Sequence, residues 1–212
     1  MSAGKHPRPW IGRTVSYPRR QQFRRLARAG ALGAGALLAA LLGLLALNLG
    51  ALALAAVLLL TAASFAVASR HWLGLAARAG VGARSEANVQ STLATLEREG
   101  WRLRHSLNWQ GRGDIDSVAI APTGIAFAIE TKTRSYTPEH LARVASMAHW
   151  MYARRRRWCP NGALPVLCVA DARYLVDHVE NGVLVVSRGR LLAALHTAAG
   201  TQTRPPFLKY LR

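Results

Sequence analysis

The chain has 212 residues, 51% of them apolar, and 28 Lys and Arg against 10 acids give a formal net charge of +18. That balance implies an anionic partner, either nucleic acid or a membrane surface. Two cysteines, neither in a C-x-x-C pair, exclude a four-cysteine zinc site and read as free thiols of a reducing compartment.

The first segment, residues 1–28, is a basic arm that contains Arg19, Arg20, Arg24, Arg25 and Arg28. Residues 29–69 follow without a single charge, and their only polar side chains are Asn48, Thr61, Ser64 and Ser69. One bilayer crossing needs roughly 20 residues, so this stretch is long enough for two. Asn48-Leu49-Gly50 supplies a turn between spans at about 30–47 and 51–69, a transmembrane helical hairpin. Arginines flank both ends, with Arg70, Arg78 and Arg84 on the far side. Basic flanks mark the cytoplasmic face, so the spacing predicts a multi-pass anchor in a bacterial inner membrane with both termini cytoplasmic. A cleavable signal peptide is the competitor, but its apolar region runs to only about 7–15 residues.

Residues 70–83 are expected to form a juxtamembrane linker, 84–200 a cytoplasmic domain and 201–212 a basic tail. From Glu86 onward 17 basic residues still outnumber 10 acids. Ser85 is expected to cap a helix in which Val89, Leu93 and Leu96 recur at helical spacing, with Gly100 ending it. Trp101 to Leu107 alternates apolar and polar as a half-exposed strand does. Gly111 and Gly113 mark a turn. Next comes a hairpin, Ile115–Ala121 and Ile125–Lys132 around Pro122-Thr123-Gly124, whose second arm is apolar enough to be central in a sheet. Thr137 and Pro138 cap and open a second helix. Residues 164–171 and 182–186 read as strands, and 188–196 as a closing helix. The order α-β-β-β-α-β-β-α is that of a small mixed α/β domain.

Carboxylates are scarce here, yet Asp116, Glu130 and Lys132 fall at adjoining strand ends. Residues two apart on a strand share a face, so Glu130 and Lys132 point together, and the short turn returns Asp116 to them. Mg²⁺ or Mn²⁺ takes oxygen ligands, commonly one or two carboxylates with water and phosphate. Asp116, Glu130 and the Thr131 backbone carbonyl offer that set. Lys132 would orient or deprotonate a water, or offset charge on a reacting phosphate, which is the layout for metal-assisted phosphodiester hydrolysis.

Glu86, Asp116 and then Glu130-Thr131-Lys132 after a Pro-x-Gly turn resemble the nuclease-related domain (NERD), itself similar to the PD-(D/E)xK nucleases. The resemblance spans roughly residues 84 to 196. It implies a restriction-endonuclease-like αβββαβ core with a mixed sheet, Mg²⁺-dependent DNA cleavage, and Glu86, Asp116, Glu130 and Lys132 as the site. Ile115 stands where the wider superfamily has proline, and Ser117 where NERD sequences commonly have histidine. Many relatives carry a glutamine early in the next helix, and the nearest polar residue here is His140.

Plainer readings compete. Glu130 and Lys132 alone would be a surface ion pair worth at most about 1 kcal/mol, and Glu86 a partner for a helix dipole. Arg154, Arg155, Arg156 and Arg157, with Trp150, Tyr152 and Trp158 nearby, suit nucleic acid but equally a solvated face or anionic lipid. The expected protein is a membrane-anchored nuclease acting on DNA, with RNA also admitted. A membrane tether that binds nucleic acid or protein without cutting is the other class.

Overall fold

The computed structural model describes residues 17–110 and 112–200. The start of the basic arm, Gly111 and the tail 201–212 lie outside the described residues.

Two long helices come first, α1 (Tyr17–Asn48) and α2 (Leu52–Leu93). They form the expected antiparallel hairpin. Gly50 takes φ +77 at the turn, where the N–H of Ala51 reaches the carbonyl of Ala46 at 2.9 Å. The usual distribution of side chains is inverted along these helices. Ala29, Ala39, Ala46, Ala55 and Ala62 are buried between them, whereas Leu37, Leu41, Leu52, Leu60 and Val67 face outward. Small residues let the two helix backbones approach closely; Gly43 lies so near Leu59 that an added Cβ would stand 3.0 Å from its Cγ. Polar groups are absorbed locally. Thr61 and Ser64 donate to the carbonyls of Val57 and Leu60, and Ser69 donates to Ala29 of the other helix.

The sequence reading started a new helix at Ser85 after a linker; the structure corrects this. Residues 70–83 are helical and α2 passes through them to Leu93 without a break. The segment contains no proline, and its glycines reduce helix stability by only about 1 kcal/mol each, so nothing forces an interruption. Ser85 is therefore no cap. It is buried, and its hydroxyl meets that of Thr133 at 3.2 Å. Gly100, in the left-handed region at φ +84, ends the 3-10 turn over Ala94–Glu99 instead.

A six-stranded mixed sheet follows: β1 (Arg102–Asn108), β2 (Asp114–Ile120), β3 (Ala126–Lys132), β4 (Ala163–Val169), β5 (Asp177–Glu180) and β6 (Val183–Ser187), in the order β1-β2-β3-β4-β6-β5. β3 pairs antiparallel with β2 and parallel with β4, so it is central as its apolar sequence predicts. The end of α2 and helix α4 (Leu191–Gly200) cover one face through Val89, Leu93, Phe127, Ile129 and Leu195. Helix α3 (Pro138–Arg154) covers the other through Leu141, Val144, Met147 and Met151. Edge strand β5 is missing from the sequence reading because it is largely exposed and has no apolar alternation. The closing helix begins at Leu191 after a 3-10 turn, not at Arg188.

The direction of α2 fixes the polarity of the domain. Ser85 sits beside Thr133, just past the end of β3, whereas Gly100 lies by Pro122 in the β2–β3 turn. The chain thus comes down from the hairpin onto the carboxyl end of β3 and runs antiparallel to it.

Candidate active site

The regular β2–β3 ladder spans Ser117↔Ile129 to Ile120↔Ala126. Beyond it, the N–H of Thr131 is taken at 2.7 Å by Oδ2 of Asp116. A carboxylate replaces the next rung where the strands part. In an extended strand a residue's N–H and carbonyl face the same neighbour, so the Thr131 carbonyl faces this gap as well. On β1, Ser106 lies between the pairs His105↔Ser117 and Leu107↔Ile115 and takes φ +51. Left-handed backbone at a non-glycine residue costs roughly 1–3 kcal/mol, and it falls across the ladder from Asp116.

Glu130 is 4% exposed. Its Oε1 accepts from Nζ of Lys132 at 2.9 Å, while Oε2 is buried with no hydrogen bond. The expected common face of these two residues is present, but the surface ion pair is not, since one partner is enclosed. An unsatisfied buried acceptor costs about 1–3 kcal/mol, more when charged. The Thr131 hydroxyl is buried and likewise without a partner.

Asp116 keeps partial exposure, yet its pKa is raised well above the ordinary aspartate value. Enclosure by protein is the largest cause, followed by the negative fields of Glu130 and Glu86; the Thr131 N–H and Lys132 oppose it. Glu86, buried on α2, therefore joins the group from the opposite face of the sheet. All four residues expected at the site are brought together at the carboxyl end of β3.

Arg154–Arg157 are not. They lie at the end of α3, which starts near Lys132 and returns over 17 residues, about 25 Å, to the opposite pole. There Asn161 donates to the carbonyl of Thr123 in the β2–β3 turn. The guanidinium of Arg155 lies over the rings of Trp150 and Trp158, Arg104 also lies over Trp158, and Arg156 lies over Tyr152. Arg155 and Arg156 thus already stack on aromatics of their own domain.

His140 is a capping residue. Its Nδ1 accepts from the backbone N–H of Thr137 at 3.0 Å in a capping box. The Ser117 hydroxyl is buried and meets Nδ1 of His105 at 2.9 Å. Arg143 is a neighbour that sequence reasoning missed. Its guanidinium comes so close to Gly113, at φ +112, that a Cβ there would stand 3.1 Å from Nη2. The only sequence signal was its place one turn after His140.

Two inward carboxylates, one of them with an unpartnered oxygen, and a main-chain carbonyl fit a hard divalent cation that completes its shell with water. Among the described residues no three His, Cys, Asp or Glu side chains form a ready-made metal cage. Residues 81–161 match the family model described as the nuclease-related domain. No curated protein and no solved structure matches the chain.

Proposed function

We propose, from the premise that this chain carries a nuclease-related domain over residues 81–161, that it is a membrane-anchored, metal-dependent nuclease hydrolysing DNA phosphodiesters. The observation that carries the reading is the buried, unpartnered Oε2 of Glu130 beside the raised pKa of Asp116. Such an arrangement is unfavourable without a cation and favourable with one.

Mg²⁺ or Mn²⁺, when bound, supplies Lewis-acid polarisation of a phosphate oxygen. Asp116, Glu130 and the Thr131 carbonyl would hold it, with Glu86 adding negative field behind Asp116. Lys132 holds Oε1 of Glu130 in place through their 2.9 Å ion pair, and its ammonium stabilises charge that grows on the phosphate. The Thr131 N–H fixes the orientation of Asp116 before substrate arrives.

Two features support membrane anchoring: both helices are long and apolar enough to cross a bilayer, and their large side chains face outward. Arg28 stacks on Trp72 at 4.9 Å just beyond the uncharged stretch, where aromatic residues favour the interface. In this reading the apolar helices lie in a bacterial inner membrane with both termini cytoplasmic.

The test uses full-length protein in detergent with plasmid DNA. Cleavage is expected with Mg²⁺ or Mn²⁺, and is expected to vanish with chelator and in Lys132→Ala. Cleavage indifferent to metal and lysine would overturn the chemistry. A reporter fused after Arg70 should be active only on the cytoplasmic side. The net charge of +18 also suits a tether that holds nucleic acid without cutting, and metal-independent binding with no cleavage selects it.

A further inference from the structure

We infer that the two-helix stalk between the apolar hairpin and the sheet is a nucleic-acid-binding surface, which holds the sugar-phosphate backbone in the gap between bilayer and site. This rests on the membrane-anchored nuclease reading above.

The argument begins with direction. α2 leaves its uncharged stretch at Ser69 and delivers Glu86 to the carboxyl end of β3. Seventeen residues at 1.5 Å each span about 25 Å. The carboxylates therefore sit at the end of the domain that faces the bilayer, and the Arg154–Arg157 pole faces away. α1 accompanies α2 along this distance: Ser69 bonds Ala29, Arg25 donates to the carbonyl of Leu75, and Gln22 lies against Gly80. Continued by one turn, this pairing brings Arg19 and Arg20 level with Arg84, next to the turn that carries Glu86.

Charge gives the surface its partner. Eight arginines and no acid occur between Tyr17 and Ser85. Headgroups occupy about 5–8 Å beyond the hydrocarbon on each side, which takes in Arg24, Arg25, Arg28 and Arg70. Arg19, Arg20 and Arg78 stand roughly 13 Å or more from the uncharged stretch along the helices, and Arg84 about 22 Å. All four are exposed. Their backbone positions lie past the headgroup layer, and they adjoin a site whose three carboxylates repel a polyanion. Phosphates could dwell beside Asp116, Glu130 and Glu86 only if cations nearby held the strand, and the stalk supplies them.

The experiment uses full-length protein in nanodiscs of phosphatidylcholine alone and, in parallel, of phosphatidylcholine with anionic phosphatidylglycerol, with chelator present and a fluorescent DNA duplex as probe. Affinity is measured from low to moderate salt for wild type, for Arg19→Ala/Arg78→Ala/Arg84→Ala and for the same three positions as lysine. The alanine variant is expected to bind more weakly and to lose about one unit of the log K against log salt slope per arginine. The lysine variant is expected to restore the slope. Wild-type binding with an unchanged slope in the alanine variant overturns the stalk surface and leaves the nuclease reading intact. A slope change seen only with anionic lipid makes these arginines headgroup contacts and overturns it too. Wild type that neither binds nor cuts DNA removes both proposals.

Discussion

Asp116 accepts the backbone N–H of Thr131 at 2.7 Å in place of a sheet hydrogen bond. This carboxylate is thereby tied to main chain, not to a mobile side chain, and the cost of its burial is shared with the strand that carries Glu130 and Lys132.

Removing that charge should stabilise the protein. The pKa of Asp116 is raised in the folded state, so the fold binds its proton more tightly than the unfolded chain does. Stability from this group is present below the ordinary aspartate pKa and is lost as pH rises through the folded value. Asp116→Asn is expected to unfold at a higher temperature than wild type at pH 8, by on the order of 1 kcal/mol. The advantage should disappear near pH 4, and Mg²⁺ should raise the wild type alone. Thermal unfolding of detergent-solubilised protein across pH checks all three.

Lys132→Met leaves Glu130 enclosed without its cation. A loss of roughly 1–3 kcal/mol is expected, moderated because Lys132 itself is a quarter exposed. Glu130→Gln/Lys132→Met should recover most of it, since no buried charge is then left alone. Denaturant unfolding of the two singles and the double gives the coupling directly, and independent effects would show that the pair is not coupled.

Ser106 offers a test against ordinary strand preference. Valine favours strands, yet at φ +51 a β-branched side chain is crowded and glycine is not. Ser106→Val is expected to be less stable than Ser106→Gly by about 1–2 kcal/mol. Equal stability would mean that the left-handed conformation is not retained.

The two cysteines occupy opposite faces of the sheet, Cys168 with Phe127 and Cys159 with Met151. Burial pushes the Cys168 thiol up to about 12, and Cys159 is raised by burial as well. Neither is expected to react with a polar disulfide reagent at pH 8 until the protein unfolds. Prompt reaction of one thiol in the native state contradicts this packing.

Much of this was legible because local chemistry and fold agree. Alternation marked β1, Pro122-Thr123-Gly124 joined β2 to β3, and Thr137-Pro138 opened α3 where a proline costs nothing. Spacing alone put Glu130 and Lys132 on one face. What failed needed tertiary information. No residue between Arg70 and Arg84 announces that a helix continues; packing of Ser85, Glu86 and Val89 onto the sheet decides it. The arginines at 154–157 lie close in sequence to the carboxylates, but a parallel crossover carries them to the other pole. β5 is held by pairing with β6, and its own side chains give no apolar signal.

The unbroken run of α2 also bears on how the protein is made. One rod includes both the uncharged stretch and Val89, Leu93 and Glu86, so the last wall of the sheet cannot be placed independently of the hairpin. Synthesis proceeds from the N-terminus and domains fold largely in that order. Under the proposed topology, the rod is seated in lipid before the ribosome has delivered Asp116. Biogenesis then leaves no interval in which the assembled carboxylate cluster is detached from the bilayer.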